Sequence, residues 1–125
     1  MLECLRGARR ARQLIGGLES ALASLENQQE GLRKLKGRGQ DATPRHITRL
    51  LLVCNGASTR FLRQVERAAQ RHAPGLCVLR LDLDPETCGQ LFFGSPRAVK
   101  AMLVDHKVWV SRFFESWLEQ CLTND

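Results

Sequence analysis

The sequence predicts an α/β domain of order β-α-β-β-β-α with a mixed four-stranded sheet, preceded by a long N-terminal helix. Three observations predict it. Residues 47–54, Ile-Thr-Arg-Leu-Leu-Leu-Val-Cys, are apolar on both faces at their centre, as an interior strand requires. From Ser58 to His72, Phe61, Leu62, Val65, Ala68 and Ala69 gather on one side of a helical period, with Ser58 or Thr59 as the cap and Ala73, Pro74 and Gly75 as the stop. Leu76 to Leu83 then alternates, with Cys77, Leu79, Leu81 and Leu83 on one face and Val78, Arg80 and Asp82 on the other. Strand, helix and strand at this length make a right-handed crossover with parallel strands.

The remaining elements follow in order. Apolar residues recur at Leu14, Leu18, Leu22, Leu25, Leu32 and Leu35, which predicts one long helix docked along a leucine stripe. Gly16, Gly17 and Gly31 each cost about 1 kcal/mol in a helix interior, so that helix needs its docking partner to stay straight. Residues 36–45 hold two glycines, a proline and several charges without periodicity, and read as a linker. The chain thus divides into a basic amphipathic helical arm at 1–35, the linker at 36–45 and a domain at 46–125. Beyond a loop at Asp84, Pro85, Glu86 and Gly89, the run Gln90–Phe93, the turn Gly94-Ser-Pro-Arg97 and the run Ala98–Leu103 read as a hairpin. Asp105 is the expected cap of a closing helix from Lys107 to Leu122, with Val110, Phe113, Phe114, Trp117 and Cys121 on its buried stripe.

Composition narrows the class. The 125 residues, 43% of them hydrophobic, suffice for one core and not for two domains. Five cysteines, Cys4, Cys54, Cys77, Cys88 and Cys121, include no closely spaced pair, which points to a reducing compartment. The longest apolar run, Leu50 to Cys54, is far short of the ~20 residues that span a bilayer, so no membrane insertion is expected. The net charge is +6, and Arg outnumbers Lys, which suits forked contacts to phosphate or carboxylate. Residues 1–46 hold nine basic and five acidic residues, so the basicity is concentrated in the arm. Met1 to Gly17, with Arg6, Arg9, Arg10 and Arg12 against Glu3 alone, reads either as a mitochondrial targeting helix or as the first turns of an ordinary basic helix.

The most informative surface is the helix from Ser58 to His72. Arg60, Arg63, Arg67 and Arg71 fall in one narrow stripe opposite its apolar side, and Glu66 lies off that stripe. Four unneutralised guanidinium groups repel one another unless an anion is near, and RNA backbone is the natural one. An acidic protein partner or a solvated face are the alternatives. Arg6, Arg9, Arg10 and Arg12 form a second basic cluster with the same expected role. Leu14, Leu18, Leu22, Leu25 and Leu32, together with Trp109, which lies off its helix's stripe, are the expected contacts to a protein neighbour.

Other chemistries lack their residues. Gly56-Ala-Ser-Thr59 has neither the spacing of a dinucleotide loop nor the Lys of a P-loop. Cys54, at the end of the first strand, is followed by no second cysteine, which disfavours a dithiol oxidoreductase and leaves a lone reactive thiol as the enzymatic alternative. Cys77, Cys88, His72 and His106 make no metal-ligand spacing. No metal, cofactor or small-molecule substrate is expected.

Arg49-Leu-Leu-Leu-Val-Cys54, Ser58-Thr-Arg-Phe-Leu-Arg-Gln-Val65 and Gln90-Leu-Phe-Phe-Gly94 resemble the first strand, first helix and hairpin strand of the thioredoxin-like family shared by several mitochondrial ribosomal proteins and the small B8 subunit of respiratory complex I. The resemblance runs from His46 to Leu122, and the long helix before the linker departs from it. It implies a thioredoxin-like fold and a non-catalytic structural role in the mitochondrial matrix, at the large ribosomal subunit, contacting rRNA and neighbouring ribosomal proteins. A respiratory-complex accessory subunit is the alternative.

Overall fold

The computed structural model describes residues 2–37 and 47–123. Its elements are α1 (Leu2–Arg10), β1 (Leu14–Gly16), α2 (Leu18–Gly37), β2 (Arg49–Val53), α3 (Thr59–Arg71), β3 (Leu76–Arg80), α4 (Pro85–Phe93), β4 (Ala101–Val104) and α5 (Lys107–Thr123). The sheet is four-stranded and mixed, in the order β1-β4-β2-β3. β2 and β3 are parallel, with Leu51 opposite Val78, and β4 runs antiparallel to both β2 and β1.

Local chemistry explains the central crossover. β2 lies between β4 and β3, which pair both its edges, and helices cover both its faces: Leu50 and Leu52 point to one side of the sheet, Leu51 and Val53 to the other, and all four are buried. Ser58 caps α3 by accepting from the Phe61 amide at 3.1 Å. β3 keeps the expected alternation, with Cys77 and Leu79 on the face of Leu50 and with Leu76 and Val78 on the opposite face.

Helices cover both faces. α1, α4 and α5 pack one side through Leu5, Ala8, Cys88, Phe92, Val110 and Phe113, over Leu14, Leu50, Leu52, Met102 and Val104. α2 and α3 pack the other through Leu18, Ala21, Leu25, Val65 and Ala68, over Leu51, Val53, Ala101 and Leu103. Each fully covered Leu stabilises by about 1.5–3 kcal/mol relative to exposure. No helix among the described residues is long and apolar enough to cross a membrane.

Three expectations are corrected. The segment read as a continuous arm helix breaks at Gly16 and Gly17, and Leu14–Gly16 becomes an edge strand of the sheet. Gly17 takes φ +92°, a left-handed conformation that glycine adopts without a steric penalty. Leu14, Leu18 and Leu25 are therefore buried in this chain's own core, and Leu22 packs against it, so these leucines are not free to dock on another protein. Leu32 and Leu35 belong to α2, but their side chains, like residues 38–45 of the expected linker, lie outside the described residues.

The expected hairpin is a helix and one strand. Asp84-Pro85-Glu86 is a helix start, with Asp84 at the N-cap and Pro85 in the first turn, and Gly94 closes α4 at φ +58°. The strand lost at Gln90–Phe93 is replaced in the sheet by β1. Asp105, the expected cap of α5, instead bonds Arg49 Nε through one oxygen at 2.5 Å and Ser24 Oγ through the other at 3.0 Å. His106 takes its place, accepting at Nδ1 from the Val108 amide at 3.2 Å.

Candidate functional site

α3 turns Val65 and Ala68 inward, so Arg60, Arg63, Arg67 and Arg71 project from its exposed face. Arg71 is held across to α2, its Nε 2.6 Å from Glu26 Oε1 and its second nitrogen 2.9 Å from Oε2, with both side chains half exposed. Arg60, Arg63 and Arg67 have no carboxylate partner among the described residues. Among the described residues the expected stripe is thus three cations without a carboxylate partner and one tethered one. A cavity of about 290 Å³ lies beside it, between Leu22 and Glu26 of α2, Gln64 and Arg67 of α3, and His72 at the C-cap of α3. His72 is nearly buried, and that burial lowers its pKa below the ordinary value, while the nearby Glu26 opposes the shift.

The second basic cluster does not act as one unit. Arg6 pairs with Glu3 one turn earlier at 2.9 Å, and Arg10 is exposed. Arg9 lies over the Phe93 ring, 4.9 Å from its centre. Arg12 sits past the end of α1 at φ +61°. There the Arg12 amide donates to Arg9 O at 3.0 Å and the Gln13 amide to Ala8 O at 2.7 Å, which is a Schellman cap with Arg at the position that glycine usually fills.

Arg9 and Arg12 open onto a cavity of about 640 Å³, lined also by Gly16, Gly17, Leu18 and Ser20 at the β1–α2 junction, by Phe61, and by Phe93, Ser95, Arg97 and Lys100 around the α4–β4 loop. Gly16 permits this floor: a Cβ there would lie 2.8 Å from the tip of the Phe93 ring. Sequence periodicity could not find this site, because its residues come from four segments that only the fold brings together.

The structure also supplies the second thiol that spacing did not reveal. Cys54 at the end of β2 and Cys88 in α4 are both buried, with their sulfurs 2.6 Å apart although they lie 34 positions apart in the chain. Burial, then the hydrogen bond and charge shared with Cys88, push the Cys54 thiol far up, and burial raises Cys88 as well. Both thiols are thereby held protonated, away from the thiolate that attacks or binds metal. No group of three or more His, Cys, Asp or Glu among the described residues is placed to hold a metal ion.

Trp109, expected to meet a partner, is partly buried against Gly7 of α1, with Arg112 over its ring at 4.6 Å. Trp117, expected in the core, is 44% exposed beside Leu118 and Leu122. No protein-family model and no curated protein matches the chain.

Proposed function

We propose that the protein is a non-catalytic, RNA-contacting structural component, and that its place is the large subunit of the mitochondrial ribosome. The observation that carries the RNA reading is the exposed trio Arg60, Arg63 and Arg67, presented on a well-capped helix without carboxylate partners among the described residues. Such a row tracks phosphates by charge and shape rather than by reading bases. The ribosomal and mitochondrial part rests on the resemblance of residues 46–122 to the thioredoxin-like family, and within it on likeness to mitochondrial large-subunit ribosomal protein fifty-three. The parallel β2-α3-β3 unit with β4 antiparallel beside β2 is compatible with that fold, β1 serving as the fourth strand. The burial and raised pKa of Cys54 and Cys88 favour packing over thiol catalysis.

The test has two parts. Replacing Arg63 and Arg67 by Glu should weaken binding of structured RNA on the order of tenfold or more at moderate salt, and should make the affinity about two charges less salt-dependent. Tagged protein from a mitochondrial extract should sediment with the large ribosomal subunit. Sedimentation with a respiratory complex, or unchanged RNA binding in the double variant, would overturn the reading.

A further inference from the structure

We infer that the cavity between the α1–β1 turn, the start of α2 and the α4–β4 loop binds a phosphate ester that carries a planar ring, the chemistry of a nucleotide. Four cations from two segments far apart in the chain line it: Arg9 and Arg12 at the end of α1, and Arg97 and Lys100 in the α4–β4 loop. Its described lining contains no Asp or Glu. Like charges on a solvated surface spread apart. Gathered around a concavity with an apolar floor, they focus a positive potential that an anion relieves.

Volume and lining set the ligand class. At about 640 Å³ the cavity falls within the ~300–1,000 Å³ typical of small-molecule sites. Arg guanidinium forks match phosphate oxygens, with Lys100 as an added point charge. The other half of the wall is apolar and aromatic: Ile15, Leu18, Phe61, Phe93 and Val99. Inorganic phosphate would leave that half uncovered, and the short carboxylate side chains of an acidic peptide would bring no flat surface to it. A ring bearing a phosphate satisfies both halves.

Arg12 adds an observation of a different kind. At φ +61° in a Schellman cap it occupies a position where glycine costs less, and it spends that conformational penalty at the mouth of the cavity. Its removal should therefore separate binding from folding. The inference does not rest on the α3 surface, because Arg60, Arg63 and Arg67 do not line this cavity.

Isothermal titration of the full-length chain with AMP, with inorganic phosphate and with a 5′-hydroxyl adenosine pentanucleotide tests it. AMP should saturate and bind more tightly than inorganic phosphate. Arg12→Gly should weaken AMP about tenfold or more while leaving the thermal midpoint equal or higher. Arg97→Ala should weaken AMP in the same direction, and Arg63→Glu should leave it unchanged. Tighter binding of the pentanucleotide, equally sensitive to Arg12→Gly, identifies a residue of an RNA strand as the source; tighter AMP identifies a free nucleotide. AMP that fails to saturate at millimolar concentration, or that binds Arg12→Gly and Arg97→Ala as it binds the parent, overturns the inference. Failure of the α3 reading registers separately, as RNA binding unaffected by the Arg63 and Arg67 replacements.

Discussion

Helix α1 and the last turns of α5 lie on the same side of the sheet, and both carry apolar residues at helical spacing. α1 buries Leu5 and Ala8 completely, between the sheet and α5. α5 buries Val110 and Phe113 in its first half, then leaves Trp117, Leu118 and Leu122 at 44%, 60% and 70% exposure. The difference is one of available neighbours. β1 brings the first residues onto the sheet edge, which places α1 over the core, whereas the second half of α5 leaves these apolar side chains uncovered by the described residues. Amphipathic spacing therefore tells which residues a helix would bury, and the topology tells whether anything covers them.

The sharpest way to break this contrast is to truncate apolar residues at both ends. Leu5→Ala and Leu14→Ala each remove a side chain that is at most 2% exposed, and each should destabilise by about 2–5 kcal/mol in urea denaturation. Leu118→Ala and Leu122→Ser should stay within about 0.5 kcal/mol of the parent. Comparable losses at the two ends would mean that the first residues form a loosely attached arm after all.

A smaller effect is expected at the seam between α1 and α5. A Cβ at Gly7 would lie 2.8 Å from the far edge of the Trp109 ring, so Gly7→Leu must displace the indole or part the helices. The expected cost is about 1–3 kcal/mol, against a gain in helix propensity of about 1 kcal/mol at most. With Trp117 replaced by Phe, the one remaining Trp reports the seam, and its emission should shift toward the red. An unmoved emission maximum would show that Trp109 does not rest on α1.

What the sequence made legible was strongest where local and global signals agree. Leu50 to Val53 could be placed in an interior strand because their neighbours are apolar in both directions, and Ser58 could be named as a cap because its oxygen serves a donor three residues on. Legibility failed where one residue serves two grammars. Pro85 reads as a loop breaker and also as a first-turn residue, and Gly94 reads as a hairpin turn and also as a helix stop. Leu14 fits the helical stripe of Leu18 and Leu25, yet the two intervening glycines convert it to a strand residue. The α3 arginine stripe was readable because it lies on one helix. The cationic cavity and the Cys54–Cys88 pair were not, because each joins residues far apart in the chain.

The smallest expected effect concerns the opposite side of the sheet, where α2 and α3 meet at His72. Its side chain is 7% exposed, with Nε2 3.6 Å from Glu26 Oε1. Burial disfavours the imidazolium and lowers its pKa from the ordinary 6.5, Arg71 adds to the lowering, and Glu26 works against it. The unfolded chain therefore takes up the proton first as the pH falls. Stability from the neutral imidazole is complete above the unfolded value and is lost as the pH drops through it toward the folded value. Between about pH 7.5 and about 5.5, above the range where most carboxylates titrate, the thermal midpoint should fall in the parent and fall less in His72→Gln. Equal declines in the two proteins would assign the acid sensitivity to another group and would mean that the Glu26 carboxylate offsets the burial of His72.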